Sequence, residues 1–255
     1  MGILEAATYF DMSGHQASDS PLVMVGLFSP EQKWLAFERR WQTEVLGAGR
    51  IPYVHMKEFA PMIGPFLFLR EDEPLRRAII QAMIKVIKAG ANKIIAYYLS
   101  PATFREMDRL YDFAGFWHGA FSLAAVGCTS WFRHWIHEHH PKARVKYVYE
   151  AGDQGWGRFQ ELTKAVHIEP IPHPKIDPDT GEWFAPFQAA DFIGWELARE
   201  LHEQDPPLRR RKPRQSLKEL TKQLPQLELR EFQLSSALSL AGQYAEMFPS
   251  RAIRS

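Results

Sequence analysis

The chain has 255 residues, 45% of them hydrophobic and 24% charged, with a formal net charge of +1. That length and balance suit one large soluble domain, or one domain with an appended helical part. A net charge so close to zero gives no bulk argument for nucleic acid, and the single cysteine, Cys128, excludes a disulfide scaffold within the chain.

The elements follow in chain order. Residues 3–11 (ILEAATYFD) and 21–29 (PLVMVGLFS) read as two strands. The link MSGHQASDS is rich in turn formers, so the pair is expected to form an antiparallel hairpin. Strand one is expected to be central, to end on Asp11 facing a cleft, and to turn Met12 to the other face. Residues 29–49 read as a helix, with Ser29 as N-cap, Pro30 in the first turn and apolar residues at 34, 37, 41 and 45. Residues 50–70 hold three prolines and read as irregular. They carry VHMKEF (54–59), with His55 and, less prominently, Glu58 as candidates for proton chemistry.

Residues 73–90 form an amphipathic helix ending at Gly90, and 92–100 a buried-type strand. A helix starts near 101, and a long one is expected from about 112 to 139, stopped by Pro141. Its most apolar window, 113–128, is shorter than the ~20 residues a bilayer span needs, so it reads as a buried helix. The N-terminus lacks the basic and apolar regions of a signal peptide. Together with the lone cysteine this predicts a cytoplasmic protein. Residues 143–150 read as a strand, 156–166 as a helix, and 167–174, with three prolines, as a strand near a sheet edge. A helix over 186–203 and two further helices, 214–223 and 228–247, complete the reading. Strands alternating with helices give an α/β fold with a mixed sheet, since the hairpin excludes an all-parallel one.

Three acids stand at element ends. Asp11 ends the first strand, Glu150 ends VKYVYE, and Asp191 sits one turn into the 186–203 helix. Ligands in open α/β folds gather where strands end. Acids converging there repel one another unless a cation joins them, and Mg²⁺ or Mn²⁺ prefers such oxygen ligands. The helix around Asp191 carries Ala189, Ala190 and Gly194, small enough for close approach to a sheet. The competing reading is an Asp stabilised by the helix dipole.

Two other clusters stand out. HWIHEHH (134–140) has metal-like spacing, but it occupies the last turns of a helix, where histidines cap carbonyls. LRRRKPR (208–214), with Arg209, Arg210, Arg211 and Lys212, reads either as a phosphate-holding run or as a solvated loop. No GxGxxG, P-loop, CxxC or GxSxG pattern appears, so hydride transfer, P-loop chemistry, structural zinc and α/β-hydrolase chemistry lose support.

The pieces YFDMSG (9–14), VHMKEF around His55, YVYEAGD (147–153) and PFQAADFIGWELARE (186–200) together resemble the DUF3800 family, over roughly residues 7–203. The Gln-Ala-Ala-Asp helix is the most specific piece. The resemblance implies an RNase H-like mixed sheet flanked by helices over residues 1–205, followed by a basic linker and C-terminal helices over 206–255. It further implies an acidic cluster of Asp11, Glu150 and Asp191, with Asp153 as a fourth member and His55 assisting. Such a cluster would hold Mg²⁺ or Mn²⁺ for phosphodiester cleavage in nucleic acid. The family's opening motif carries a Glu where this chain has Met12. That departure supports the alternative of a catalytically degenerate descendant. Such a protein would bind nucleic acid or a protein partner, or form a homodimer, in a defence or mobile-element system.

Overall fold

The structure is a computed structural model, and it describes residues 4–14, 20–111, 113–152, 155–164, 166–171, 181, 183–203 and 215–233. The expected hairpin is present: β1 (Leu4–Ser13) pairs antiparallel with β2 (Leu22–Pro30), from Ala6 opposite Pro30 to Ser13 opposite Val23. β3 (Lys93–Leu99) pairs antiparallel with β2, while β4 (Ala143–Glu150) pairs parallel with β1. β5 (Ile168–Ile171) lies parallel to β4, and β6 (Leu227–Glu231) parallel to β3. The result is a six-stranded mixed sheet in the order β5-β4-β1-β2-β3-β6, with β1 interior as expected. This is an α/β fold, a mixed sheet flanked by helices, as the alternation of strands and helices predicted. Pro170 falls in β5, the edge strand, where a missing N–H leaves no ladder bond unmade.

Helices cover both faces, so β2 is buried along nearly its whole length. Alternation along the strands divides two cores. Ala7, Val23, Val25 and Leu27 face the core under α1 (Glu31–Arg40), α3 (Glu73–Gly90) and α8 (Ala185–Glu203). Ala6, Phe10, Met24 and Phe28 face the core under α6 (Ala120–His139) and α7 (Trp156–Leu162). Phe132 comes so close to β2 that a Cβ on Gly26 would stand 2.4 Å from its ring. Cys128 is fully buried in that second core, and burial pushes its thiol well above the usual range, as a packing cysteine requires.

Three expectations need correction. The 29–49 helix is not capped by Ser29. That residue lies within β2 and its Oγ donates to Gly90 O at 2.6 Å, while Pro30 occupies the N-cap, and the helix passes into a π-type segment over Trp41–Gly47. The long helix expected from 112 to 139 is two, α5 (Phe113–Trp117) and α6, after α4 (Pro101–Tyr111). His118 and Gly119 have φ of 55° and 133°, which no right-handed helix can accommodate. Finally, the helix expected from 228 is strand over Leu227–Glu231; residues 234–247 of that expectation lie outside the described set. Of the C-terminal helices only α9 (Gln215–Gln223) is described, and it packs on α3 and α8. The sheet thus draws a strand from beyond residue 205. Among the described residues no helix is long and apolar enough to cross a membrane.

Candidate acidic site at the strand ends

Asp11 is buried in β1, 6% exposed, opposite Val25 of β2. Its strand neighbours alternate: Phe10 and Met12 contribute to the core under α6, whereas Ala7 and Tyr9 belong to the core under α8. Asp11 therefore shares the α8 face, and Met12 points to the opposite face, packed among apolar groups. Glu150 is the last residue of β4. The parallel register pairs Tyr9 with Val148 and Phe10 with Tyr149, so its next step sets Glu150 beside Asp11. Val148 lines the α8-side core, and Glu150, two residues on, shares that face.

Helix α8 crosses the same face. The Phe187 ring meets Tyr9 edge-on at 5.6 Å, and a Cβ on Gly194 would lie 2.8 Å from Ser13 Oγ. Asp191 is between these two contacts on the helix, as Asp11 is between Tyr9 and Ser13 on the strand. A rise of ~1.5 Å per helical residue against ~3.3 Å per strand residue brings the two acids to the same level. Small residues make that approach possible, as the sequence suggested.

The loop before α2 (Met56–Phe59) is fastened to this helix. Met56 N–H donates to Asp191 Oδ2 at 2.7 Å. Gln188, one turn earlier, accepts on Oε1 from Val54 N–H at 2.6 Å and from Trp41 Nε1 at 3.1 Å, and its amide nitrogen donates to Trp183 O at 3.1 Å. Gln188 is 2% exposed, so these bonds satisfy a fully buried amide. His55 sits between two pinned residues, half-exposed, with Nδ1 4.0 Å from Glu58 Oε2. Tyr53 donates to the same Glu58 oxygen at 2.7 Å, and burial together with that carboxylate raises its phenol to about 12.

Asp11, Glu150 and Asp191 are thus placed on one face, and His55 is on the loop tied to Asp191. Among the described residues no three His, Cys, Asp or Glu side chains form a group able to hold a metal. Asp153 and the basic residues Arg209, Arg210, Arg211 and Lys212 lie outside the described residues. His139 Nδ1 pairs with Trp135 O at 2.9 Å, and His134 lies 3.3 Å from Glu138, in keeping with helix-end roles for the HWIHEHH run. A cavity of about 640 Å³ beyond Met56 is lined by Phe59, Arg76, Glu196 and Ser216, and none of the three acids lines it. Sequence reasoning did not foresee the role of Gln188 or the pairing of Tyr53 with Trp183. The one-turn spacing of Gln188 to Asp191 was the only signal for the former.

No protein-family model matches the chain, and no curated protein matches it. Among solved structures, Bst-RNase HIII in complex with Mn²⁺ is similar at 10% identity and a TM-score of 0.43, covering 76% of this chain and 52% of its own. This chain therefore spans about half the length of that protein. The ribonuclease H2 from Pyrococcus horikoshii is similar at 14% identity and TM-score 0.42, over 96% of this chain and 89% of its own. The RNase HII of the PCNA:RNase HII complex from Archaeoglobus fulgidus is similar at 11% and 0.39, over 86% and 87%. Likeness this loose transfers no residue role, ligand or activity.

Proposed function

We propose that the chain is a DUF3800-type, divalent-metal-dependent phosphodiesterase acting on nucleic acid. The observation that carries this reading is the sharing of one sheet face by Asp11 and Glu150, side by side on parallel strands, under the turn of α8 that bears Asp191. A buried carboxylate at a strand end is costly unless charge or hydrogen bonds offset it.

The donor set fits Mg²⁺ or Mn²⁺. All three groups are hard oxygens, and Mg²⁺ is commonly held by one or two carboxylates with waters and substrate phosphates, so a preassembled three-ligand cage is not required. Met56 N–H takes one lone pair of Asp191, and a carboxylate has about four. Asp11, Glu150 and Asp191 would hold the cation, with Asp153 as a further ligand. When bound, the cation would activate water and polarise the phosphoryl oxygens. His55 would accept or donate a proton at its imidazole, steadied by Glu58. Arg209, Arg210, Arg211 and Lys212 would hold backbone phosphates. A buried lone cysteine is in keeping with a reducing, cytoplasmic setting.

That no three-ligand group forms among the described residues favours a second reading, a degenerate relative that binds nucleic acid or a protein partner, or dimerises, without cleaving. Mn²⁺ titration followed by thermal melting, with cleavage of labelled DNA and RNA, separates the two. The first reading expects Mn²⁺ to raise Tm and support cleavage in the wild type, and Asp191→Asn to lose both. Unchanged melting in Mn²⁺ with no cleavage overturns it.

A further inference from the structure

We propose that Trp183, Tyr53 and His55 form a stacking shelf for an unpaired nucleobase, so that the nucleic acid taken at the candidate site is single-stranded. This rests on the nucleic-acid reading above and names its substrate class.

The Tyr53 and Trp183 rings stack at 4.6 Å with planes 17° apart. His55 stands 6.2 Å from Trp183 at 33°. All three side chains are half-buried, unlike the aromatic residues of the two cores, most of which are fully buried. The shelf is rigid at its base. Phe66 meets Tyr53 edge-on at 5.6 Å, Glu58 fixes the Tyr53 hydroxyl, and Gln188 holds the carbonyl of Trp183. Gln188 also holds Val54, and Met56 N–H holds Asp191. The rings and the candidate acid are therefore mounted on one hydrogen-bonded frame.

Rigid, partly exposed rings beside an acidic site suit the flat face of a base. The stack of Trp183 on Tyr53 is extended by a base placed against the Trp183–His55 side. The half-exposed imidazole of His55, 6.2 Å from Trp183, is near enough to meet the same base. Duplex bases already have both faces covered by their neighbours; unpaired bases do not. Stacking is tolerant of base identity because every base has a π face, so the shelf reads strandedness rather than sequence. DNA and RNA share this chemistry, and the sugar distinguishes them.

The test is fluorescence anisotropy with short labelled single strands of DNA and of RNA and their blunt duplexes, with Ca²⁺ in place of Mn²⁺. Wild type, Trp183→Leu and Trp183→Phe are compared after equal melting temperatures are verified. The expected result is tighter binding of single strands than of duplex. Trp183→Leu weakens the single-strand Kd roughly tenfold or more while duplex binding stays unchanged, and Trp183→Phe retains most of the affinity. Equal binding of DNA and RNA supports recognition by the base face, and RNA preference adds a 2′-hydroxyl contact to it. Duplex binding as tight as single-strand binding, or a Trp183→Leu protein that binds single strands like wild type, overturns the shelf and leaves the metal-dependent reading to its own Mn²⁺ test. Failure of the wild type to bind any of the four probes overturns both.

Discussion

The side-chain oxygen of Gln188 accepts from Val54 N–H and Trp41 Nε1 while its nitrogen donates to Trp183 O. Replacing it with Leu preserves bulk but leaves two buried donors without an acceptor, at about 1–3 kcal/mol each. Gln188→Leu is expected to lower the denaturation midpoint accordingly, and adding Trp41→Phe, which removes one of the stranded donors, should make the combined loss smaller than the sum of the two single losses; strictly additive losses would remove the acceptor from the explanation. Asp11→Asn keeps shape and removes charge. If Asp11 is a ligand, the stabilisation by Mn²⁺ shrinks while the metal-free protein melts no lower, since one repelling carboxylate is gone. Equal stabilisation of both proteins by Mn²⁺ would make Asp11 structural. Gly194→Ala tests the close approach of α8. The new Cβ would lie 2.8 Å from Ser13 Oγ and 3.2 Å from Ser13 Cβ, so the hydroxyl must turn away or strand and helix must give by a few tenths of an ångström. Overpacking of this kind costs roughly 1–3 kcal/mol, and combination with Ser13→Ala should recover part of it.

Among the elements, Glu44 joins the π-type segment to its neighbours, accepting from Arg40 at 2.6 Å and Lys85 of α3 at 2.9 Å. Those bonds pull its carboxyl from 4.5 to about 2. A depressed folded-state pKa contributes stability that is present above pH 4.5 and lost as pH falls towards 2. Glu44→Gln should flatten the acid limb of a stability–pH curve in that window, modestly, because solvent and salt screen so exposed a pair. The legibility of the elements themselves followed local chemistry. The β1–β2 hairpin, α3 and α8 could be read because turn residues and apolar periodicity agree with the tertiary result. β6 was misread although Leu227 and Leu229 alternate with Glu228 and Arg230 as an edge strand should, because the apolar residues further on suggested a longer helical period. The break at His118–Gly119 was hidden since the apolar pattern continues across it, and a positive φ at a histidine leaves no compositional trace.

At the scale of the whole molecule, the sheet separates two differently built halves. The α6 side is an aromatic core, with Phe10 stacked 4.2 Å from Tyr149, while the α8 side carries the three acids and the ring shelf at one end. The placement of Asp11, Glu150 and Asp191 on one face was legible from strand-end position and alternation, whereas Gln188's frame depends on residues as distant in sequence as Trp41 and was not. With a net charge of only +1, long-range attraction cannot bring a polyanion to that end. Any such attraction must come from a local concentration of charge, and the run from Arg209 to Arg214 is the densest in the chain. If it contacts phosphates, each one neutralised steepens the fall of log Kobs with log salt by about 0.9 for duplex DNA and about 0.7 for single strands. Replacing Arg209, Arg210 and Arg211 by Ala should therefore flatten that slope while leaving the Mn²⁺ shift in Tm intact, because the substitutions remove none of the acids. A slope identical to wild type would make the run a solvated loop, and a lost Mn²⁺ shift would mean that it supports the acidic site instead.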